Sequence, residues 1–290
     1  MLNSLHQALG EHIDARPSRT TAFAWVDMAG LSHVAQHADI LRVIREAGAV
    51  SVLQDERPDA LLATPWLVPL DDDKAGRSLS KRTCDWALRG PAVTWIISPL
   101  PLQDLAARLH RRTEADLPDQ HPVLMRCFDP RVLPELVHQL KASQNETFLA
   151  LGHEWLHLDR SLRLQALPLH AAPGVDMFEA PLQLDEAQFT ALLDASEVDQ
   201  VMPELAREAP QEFLALRAEQ RAAWTRRCLD LAGSWHLERL ADKVMVGVLM
   251  LKLGEGFHLQ PAWAPWMATL KARQVSLLQA IEGATAGVHP

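Results

Sequence analysis

The sequence predicts an α/β lobe, with a mixed sheet, covering helices and a terminal hairpin, followed by an all-α lobe. Three observations predict it. Short apolar runs alternate with helical patterns from Thr21 to Leu140, which is the signature of a sheet covered by helices. From Glu154 to Ala166 the apolar period changes to two around Asp159-Arg160-Ser161, as in a hairpin. From Asp185 onward the apolar residues recur at helical spacing almost throughout. A loop rich in Ala and Pro after Pro168 places the boundary near 172, giving lobes 1–172 and 173–290.

The elements follow in order. Leu2, Leu5, Leu9 and Ile13 share one helical face. Thr21 to Val26 reads as a strand with Asp27 at its end. Gln36 to Ala47 reads as a helix stopped by Gly48, and Val50 to Leu53 as a second strand. Pro58, Pro65 and Pro69 predict an extended irregular stretch anchored by Trp66, Leu67 and Val68. Ser78 to Leu88 is a helix ending at Gly90, and Ala92 to Ile97 is a strand. Pro101 opens a helix that carries Leu105 and Leu109. In the second lobe the helices are Asp185–Ser196, Pro203–Leu231 with a break near Pro210, His236–Leu253, and one from Pro261 or Trp263 to Ile281. The tail from Gly283 to Pro290 reads as frayed.

The stretch Pro122 to Leu133 is the pivot of the first lobe. Val123 to Phe128 reads as a strand buried on both faces. Asp129 then stands where a helix N-cap belongs, and Pro130 suits the first helical position, which has no N–H to lose. Val132, Leu133, Leu136, Val137 and Leu140 fall on one face of the helix that follows. Arg126 is a charge inside an apolar run. It reads as a side chain leaving at the sheet edge or paired with Asp129, in preference to a binding role.

Composition excludes several classes. Hydrophobic content of 48% with 22% charged residues describes a globular chain. A net charge of −9 provides no basic stripe to replace the counterions of a nucleic acid. Arg111-Arg112 is only a short basic pair, read as lying on a solvated helix face. Cys84, Cys127 and Cys228 are odd in number and never in C-x-x-C spacing, so a disulfide framework is not expected and a reducing cytoplasm fits. The first fifteen residues lack the apolar core of a signal peptide, and Val244–Leu251 is too short to span a bilayer. A cytoplasmic protein without a membrane anchor is expected.

The sharpest motif is His153-Glu154-Trp155-Leu156-His157, an H-E-x-x-H match, with Glu179 as a conceivable third ligand. On a helix its two histidines would hold one zinc. Gly152 precedes it, however, and the period after it is two. A strand sets residues i and i+4 about 13 Å apart, so the expectation is an extended segment that binds no metal. Gly254-Glu255-Gly256 follows a helix and reads as a C-cap. Asp71-Asp72-Asp73 lacks the Gly and distal Glu of a calcium loop and reads as a turn. Cys84 lies between charged residues with no nearby histidine and reads as structural. No cofactor is expected. The chain has nine tryptophans and no tyrosine. The Trp263–Trp266 pair and the all-round apolar run Val244–Leu251, with Met245 and Met250, suit either a lobe core or an adaptable contact surface.

Four stretches occur together in the order seen in one family. They are Phe23–Ala29, Thr64–Leu70, Leu105–Arg112 and Met125–Leu133. The chain resembles, over roughly residues 20 to 165, the adaptor proteins (effector chaperones) of bacterial type VI secretion, a family first named as a domain of unknown function. Trp25, Pro65, Leu67, Arg126, Asp129, Pro130 and Arg131 carry the resemblance, and Arg-x-x-Asp-Pro-Arg is its most specific part. Cys127 and Asp119-Gln120 depart from the family pattern, where an aromatic or aliphatic residue and an Asp-Gly turn are commoner. The resemblance implies a cytoplasmic, non-enzymatic role, holding a cognate effector and helping to place it on the spike protein at the tip of the apparatus. Cargo contact is expected near Met245, Met250, Trp263 or Trp266 in the helical lobe. The alternatives are a zinc hydrolase using His153, Glu154 and His157, and a scaffold subunit that does not release its partner.

Overall fold

Thr21–Asp27 (β1) is the strand from which the first part of the chain grows. The other strands are Val50–Ser51 (β2), Pro65–Leu70 (β3), Val93–Ser98 (β4), Glu114–Asp116 (β5), Pro122–Leu124 (β6), Glu154–Leu158 (β7), Leu164–Pro168 (β8) and Leu182–Gln183 (β9). The helices are Leu2–Asp14 (α1), His37–Glu46 (α2), Lys74–Arg89 (α3), Leu102–Arg112 (α4), Leu133–Gln139 (α5), Ala142–Phe148 (α6), Glu186–Glu208 (α7), Pro210–Ala215 (α8), Ala218–Ser234 (α9), Leu240–Leu253 (α10), Ala264–Lys271 (α11) and Leu277–Ala286 (α12). This computed structural model describes all residues except 35–36, 54–56, 58–59, 72 and 288–290.

The predicted fold class holds: a sheet layered with helices, then a helical region. Six strands pair in the order β2-β3-β1-β4-β7-β8, and every pair is antiparallel. The one parallel pairing lies in a smaller sheet, β6-β5-β9, between β5 and β9. Alternation along the strands makes two cores. Ala22, Ala24, Val26, Val68, Trp95, Ile97 and Leu156 pack against α1, α2 and α3 through Leu9, Ile40, Ile44, Leu79 and Trp86. Phe23, Trp25, Leu67, Ile96 and Trp155 face α4, α5, α6 and the small sheet. The period-two hairpin forms as read, with Leu158 opposite Leu164.

Several expectations are corrected. The proline-rich stretch is not irregular, because Pro65 and Pro69 both lie in β3. Pro65 turns its carbonyl toward Val52, on the β2 side. The main-chain groups of Pro69 point the same way by alternation, and β2 pairs only with Trp66 and Leu67. The missing N–H groups thus fall where almost no ladder exists. The apolar run 123–128 is not a buried strand. Only Pro122–Leu124 is extended, and at the surface. From Met125 the chain turns repeatedly, with Asp129 N–H donating to Arg126 O and Val132 N–H to Asp129 O. Met125, Cys127 and Phe128 are buried all the same, and an apolar run does not distinguish a buried strand from buried turns. The helix begins at Leu133, so Pro130 is not its first residue and Asp129 is not its cap.

The chain divides at Asp194/Ala195, within α7, and not near 172. Three arginines of α4 explain the difference. Arg108 donates to Pro173 O (2.7 Å) and Gly174 O (3.1 Å). Arg111 and Arg112 both hold the Asp176 carboxylate, at 3.2 and 3.0 Å. Arg112 also donates to Phe148 O (2.7 Å) and Thr147 O (2.9 Å). The loop beyond 172 is thereby clamped to the first unit, where Phe178, Leu182 and Leu184 enter the core. Arg112 is fully buried, not on a solvated face.

In the second unit, Ala195–Pro290, the expected long helices are interrupted. The break expected near Pro210 is present, between α7 and α8, while a further one falls between α8 and α9 and α7 itself runs through Pro203. The last helix breaks between Lys271 and Leu277. α12 continues to Ala286 and is closed by Gly287 at φ +69°, so residues 283–287 are helix and cap and not frayed. The remaining tail residues, like Gln36, Pro58 and Asp72, lie outside the described ones. α10 is the central helix. At Gly247 a Cβ would stand 2.6 Å from Leu205 Cδ2 and 3.1 Å from Cys228 Sγ, so a larger residue there would require the Leu205 side chain to move.

Candidate functional site: a charged joint at the end of the central strand

The segment after β6 is fastened to the end of β1 by charge. Arg126 Nη2 donates to Asp27 Oδ2 at 2.7 Å and lies 3.7 Å from Asp129 Oδ2. Arg131 grips Asp129 with its backbone N–H (2.9 Å), Nε (3.0 Å) and Nη2 (2.7 Å). Asp27 Oδ1 accepts from Ala29 N–H at 3.0 Å. Both carboxylates are buried, whereas Arg126 is 44% exposed and Arg131 is 33% exposed. Burial pushes the Asp27 carboxyl up, against the opposing pull of the Arg126 charge. Beneath the charges, the Phe128 ring lies 5.5 Å from Trp25, and the Arg126 guanidinium lies 5.6 Å from Phe128.

The seven signature residues therefore meet. Trp25 stands opposite Leu67, and Asp27 stands opposite Pro65. Arg126, Asp129, Pro130 and Arg131 close over that corner, with Asp129 and Pro130 buried. Asp129 is paired with Arg126, as the sequence suggested, but its chief partner is Arg131. Sequence reasoning missed Asp27, whose only signal was an acidic residue at the end of an apolar strand. Two cations balance two carboxylates, so the joint is suited to holding a turn in place and to presenting guanidinium edges. It holds no nucleophile poised for chemistry. Cys127 is buried beside it, and burial pushes its thiol up to about 12. The Cys84 and Cys228 thiols are likewise buried and pushed up to about 12.

The H-E-x-x-H residues lie on and before β7, extended as read. Two strand residues four apart stand about 13 Å from one another. His153 and His157 thus lack the shared helix face that the motif needs. Glu154 is held by His12 Nδ1 at 2.7 Å and His153 Nε2 at 3.2 Å. His157 is buried, and burial lowers its pKa. Among the described residues, no group of three or more His, Cys, Asp or Glu side chains is placed to hold a metal ion. Asp73 caps α3 by accepting Gly76 N–H at 2.7 Å. Gly254 closes α10 at φ +94°, and Glu255 pairs with Arg227. Of the four residues expected near cargo, Met250, Trp263 and Trp266 belong to the second unit's own core. Trp263 packs edge-on against Phe257 with centroids 4.8 Å apart. Met245 alone is exposed.

Residues 22–147 match the family described as Domain of unknown function (DUF4123), a span that includes all seven signature residues and the whole joint. No match was found among curated proteins or among solved structures. Among the described residues, no helix is long and apolar enough to cross a membrane.

Proposed function

We propose that this protein is a cytoplasmic, non-catalytic adaptor of type VI secretion that binds one cognate effector and helps load it onto the spike protein. The resemblance in four stretches supports the reading. The observation that carries it is the convergence of Trp25, Leu67, Pro65, Arg126, Asp129, Pro130 and Arg131 on one joint. A scaffold shared by adaptors needs such a joint, because it fixes the turn between the sheet and α5 without catalytic groups. Cargo selection then falls to surfaces outside it. On α10, Met245 and Leu253 are exposed and Leu249 is partly so, at spacing i, i+4, i+8 on one face. Met250 supports that face from within, and exposed methionine adapts to a docked partner.

Nothing in the placement of His153, Glu154 and His157 favours the zinc-hydrolase alternative. The test of the adaptor reading is co-expression of the full chain with each candidate effector from the same genome, followed by pull-down and a secretion assay. Stable co-purification, and loss of secretion when the chain is deleted, are expected. Secretion that proceeds without the chain refutes the reading. A Met245→Asp, Leu253→Asp double variant that folds and still captures the effector removes α10 as the reading surface.

A further inference from the structure

β8 is the last strand of the six-stranded sheet, and its outer edge is open. The hydrogen bonds across the hairpin fix which groups face outward. Asp159 N–H donates to Arg163 O (3.0 Å), and Leu169 N–H donates to His153 O (3.0 Å). Residues 163, 165, 167 and 169 therefore turn their main-chain groups toward β7, and Leu164, Ala166 and Pro168 turn theirs away. The edge offers two N–H donors, from Leu164 and Ala166, and three carbonyls. Among the described residues neither donor has an acceptor, and Ala166 and Pro168 are exposed. The hairpin tip is rigid, because Asp159 accepts from Ser161 N–H (2.8 Å), Ser161 Oγ (2.7 Å), Arg163 N–H (3.0 Å) and Gln165 Nε2 (2.9 Å).

We infer that this edge pairs with the same edge of a second copy of the chain, antiparallel and centred on Ala166. The register is self-complementary. Ala166 N–H meets the partner's Ala166 carbonyl and the reverse, and Leu164 N–H meets the partner's Pro168 carbonyl and the reverse. All four donors then find acceptors. The N–H that each proline lacks leaves one carbonyl per copy, that of Leu164, to water, and a carbonyl is the least costly group to leave so. Side chains agree with this register. Leu164 stands opposite the partner's Pro168 on one face, and Leu167 opposite the partner's Gln165 on the other. Ala166 lies at the twofold axis, where its small side chain leaves the central hydrogen-bonded pair unobstructed. The opposite edge of the sheet offers no such row, because β2 has only two residues. This inference stands apart from the adaptor reading and does not depend on the cargo.

A five-residue pairing belongs with small, weak interfaces, so association is sought by analytical ultracentrifugation from about 1 μM to about 500 μM. Wild type is expected to shift from monomer to dimer across that range. Ala166→Glu places like charges opposite each other and is expected to stay monomeric with an unchanged circular dichroism spectrum. A Gln165→Cys, Leu167→Cys double variant is expected to form a covalent dimer on mild oxidation, because residues 165 and 167 of the two copies then oppose each other at non-hydrogen-bonded positions, where the side chains come within disulfide reach. The three native thiols are buried and do not compete. A wild type that is monomeric throughout, an Ala166→Glu variant that still dimerises, or a Gln165→Cys, Leu167→Cys variant that fails to cross-link each overturns the inference. If wild type is monomeric and Ala166→Pro loses an effector that wild type captures, the edge serves a cargo strand and self-pairing is refuted.

Discussion

Arg112→Ala should unfasten the loop at 173–178. The guanidinium is fully buried and makes bonds to Phe148 O, Thr147 O, Arg108 O and both oxygens of Asp176. Removing one partner of a buried pair costs about 3–5 kcal/mol. Arg108 O remains within its helix and Thr147 O keeps Ala150 N–H, so Phe148 O and Asp176 carry the loss. Arg111 still reaches Asp176 at 3.2 Å and recovers part of it. The expected net cost is therefore about 3 kcal/mol. At about 2–3 kcal/mol per molar urea, the midpoint of the first unit should fall by about 1–1.5 M. The transition of the first unit is followed by hydrogen exchange at amides 147–150 and 174–178. Arg112→Lys keeps the charge but loses the fork, and should recover only part of the loss. A midpoint shift below about 0.3 M, with unchanged exchange at 174–178, would show that the clamp is not what joins the loop to the unit.

Asp129→Ala removes the acceptor of three Arg131 bonds and should cost about 2 kcal/mol, more than the ~1 kcal/mol of a lost helix cap. Thermal melting with effector binding in parallel separates stability from recognition, and unchanged melting with lost binding would make Asp129 a contact. His157 is buried with its pKa lowered from 6.5, so the unfolded chain binds a proton that the folded chain resists. Stability from this group is full above pH 6.5 and declines as pH falls below it. His157→Gln should flatten urea midpoints measured from pH 7.5 to 5, and an unchanged slope would refute the assignment. At Gly283 an added Cβ would stand 1.9 Å from Trp266 Cζ2, so Gly283→Ala should cost about 1–3 kcal/mol despite better helix propensity, read as a lower melting temperature.

What the sequence makes legible is what repeats. Continuous apolar runs mark β1 and β4, period two marks β7 and β8, and period 3.6 marks α1 and α4. What it hides are single long-range contacts. Nothing local to Asp27 announces a partner 99 residues away in Arg126. Arg112 looks like a surface charge because its acceptors, Phe148 O and Asp176, come from distant segments. Val123–Phe128 misleads because burial, not strand pairing, is what its apolar residues report. Pro65 and Pro69 mislead for the opposite reason. Proline excludes a strand only where a neighbour needs its N–H, and β2 is too short to ask. The seven signature residues are scattered from 25 to 131 in the sequence, and only the fold shows that they occupy one corner. The Trp263–Trp266 pair was legible as anchoring something, and that something is the second unit's own interior.

The strand order has a consequence for a chain still being made. β1, β3 and β4 all lie before Pro99, yet β4 waits for β7 to cover its other side. Between them come α4, β5, β6, α5 and α6. At synthesis rates of about 5–20 residues per second, that interval lasts several seconds. During it Val93 to Ser98 is an apolar strand with one edge bare, and the closing hairpin has yet to leave the ribosome. Newborn chains arrested between Ser98 and Glu154 should thus be the most prone to aggregate or to recruit a holding chaperone, and chains extended past Pro168 should escape both.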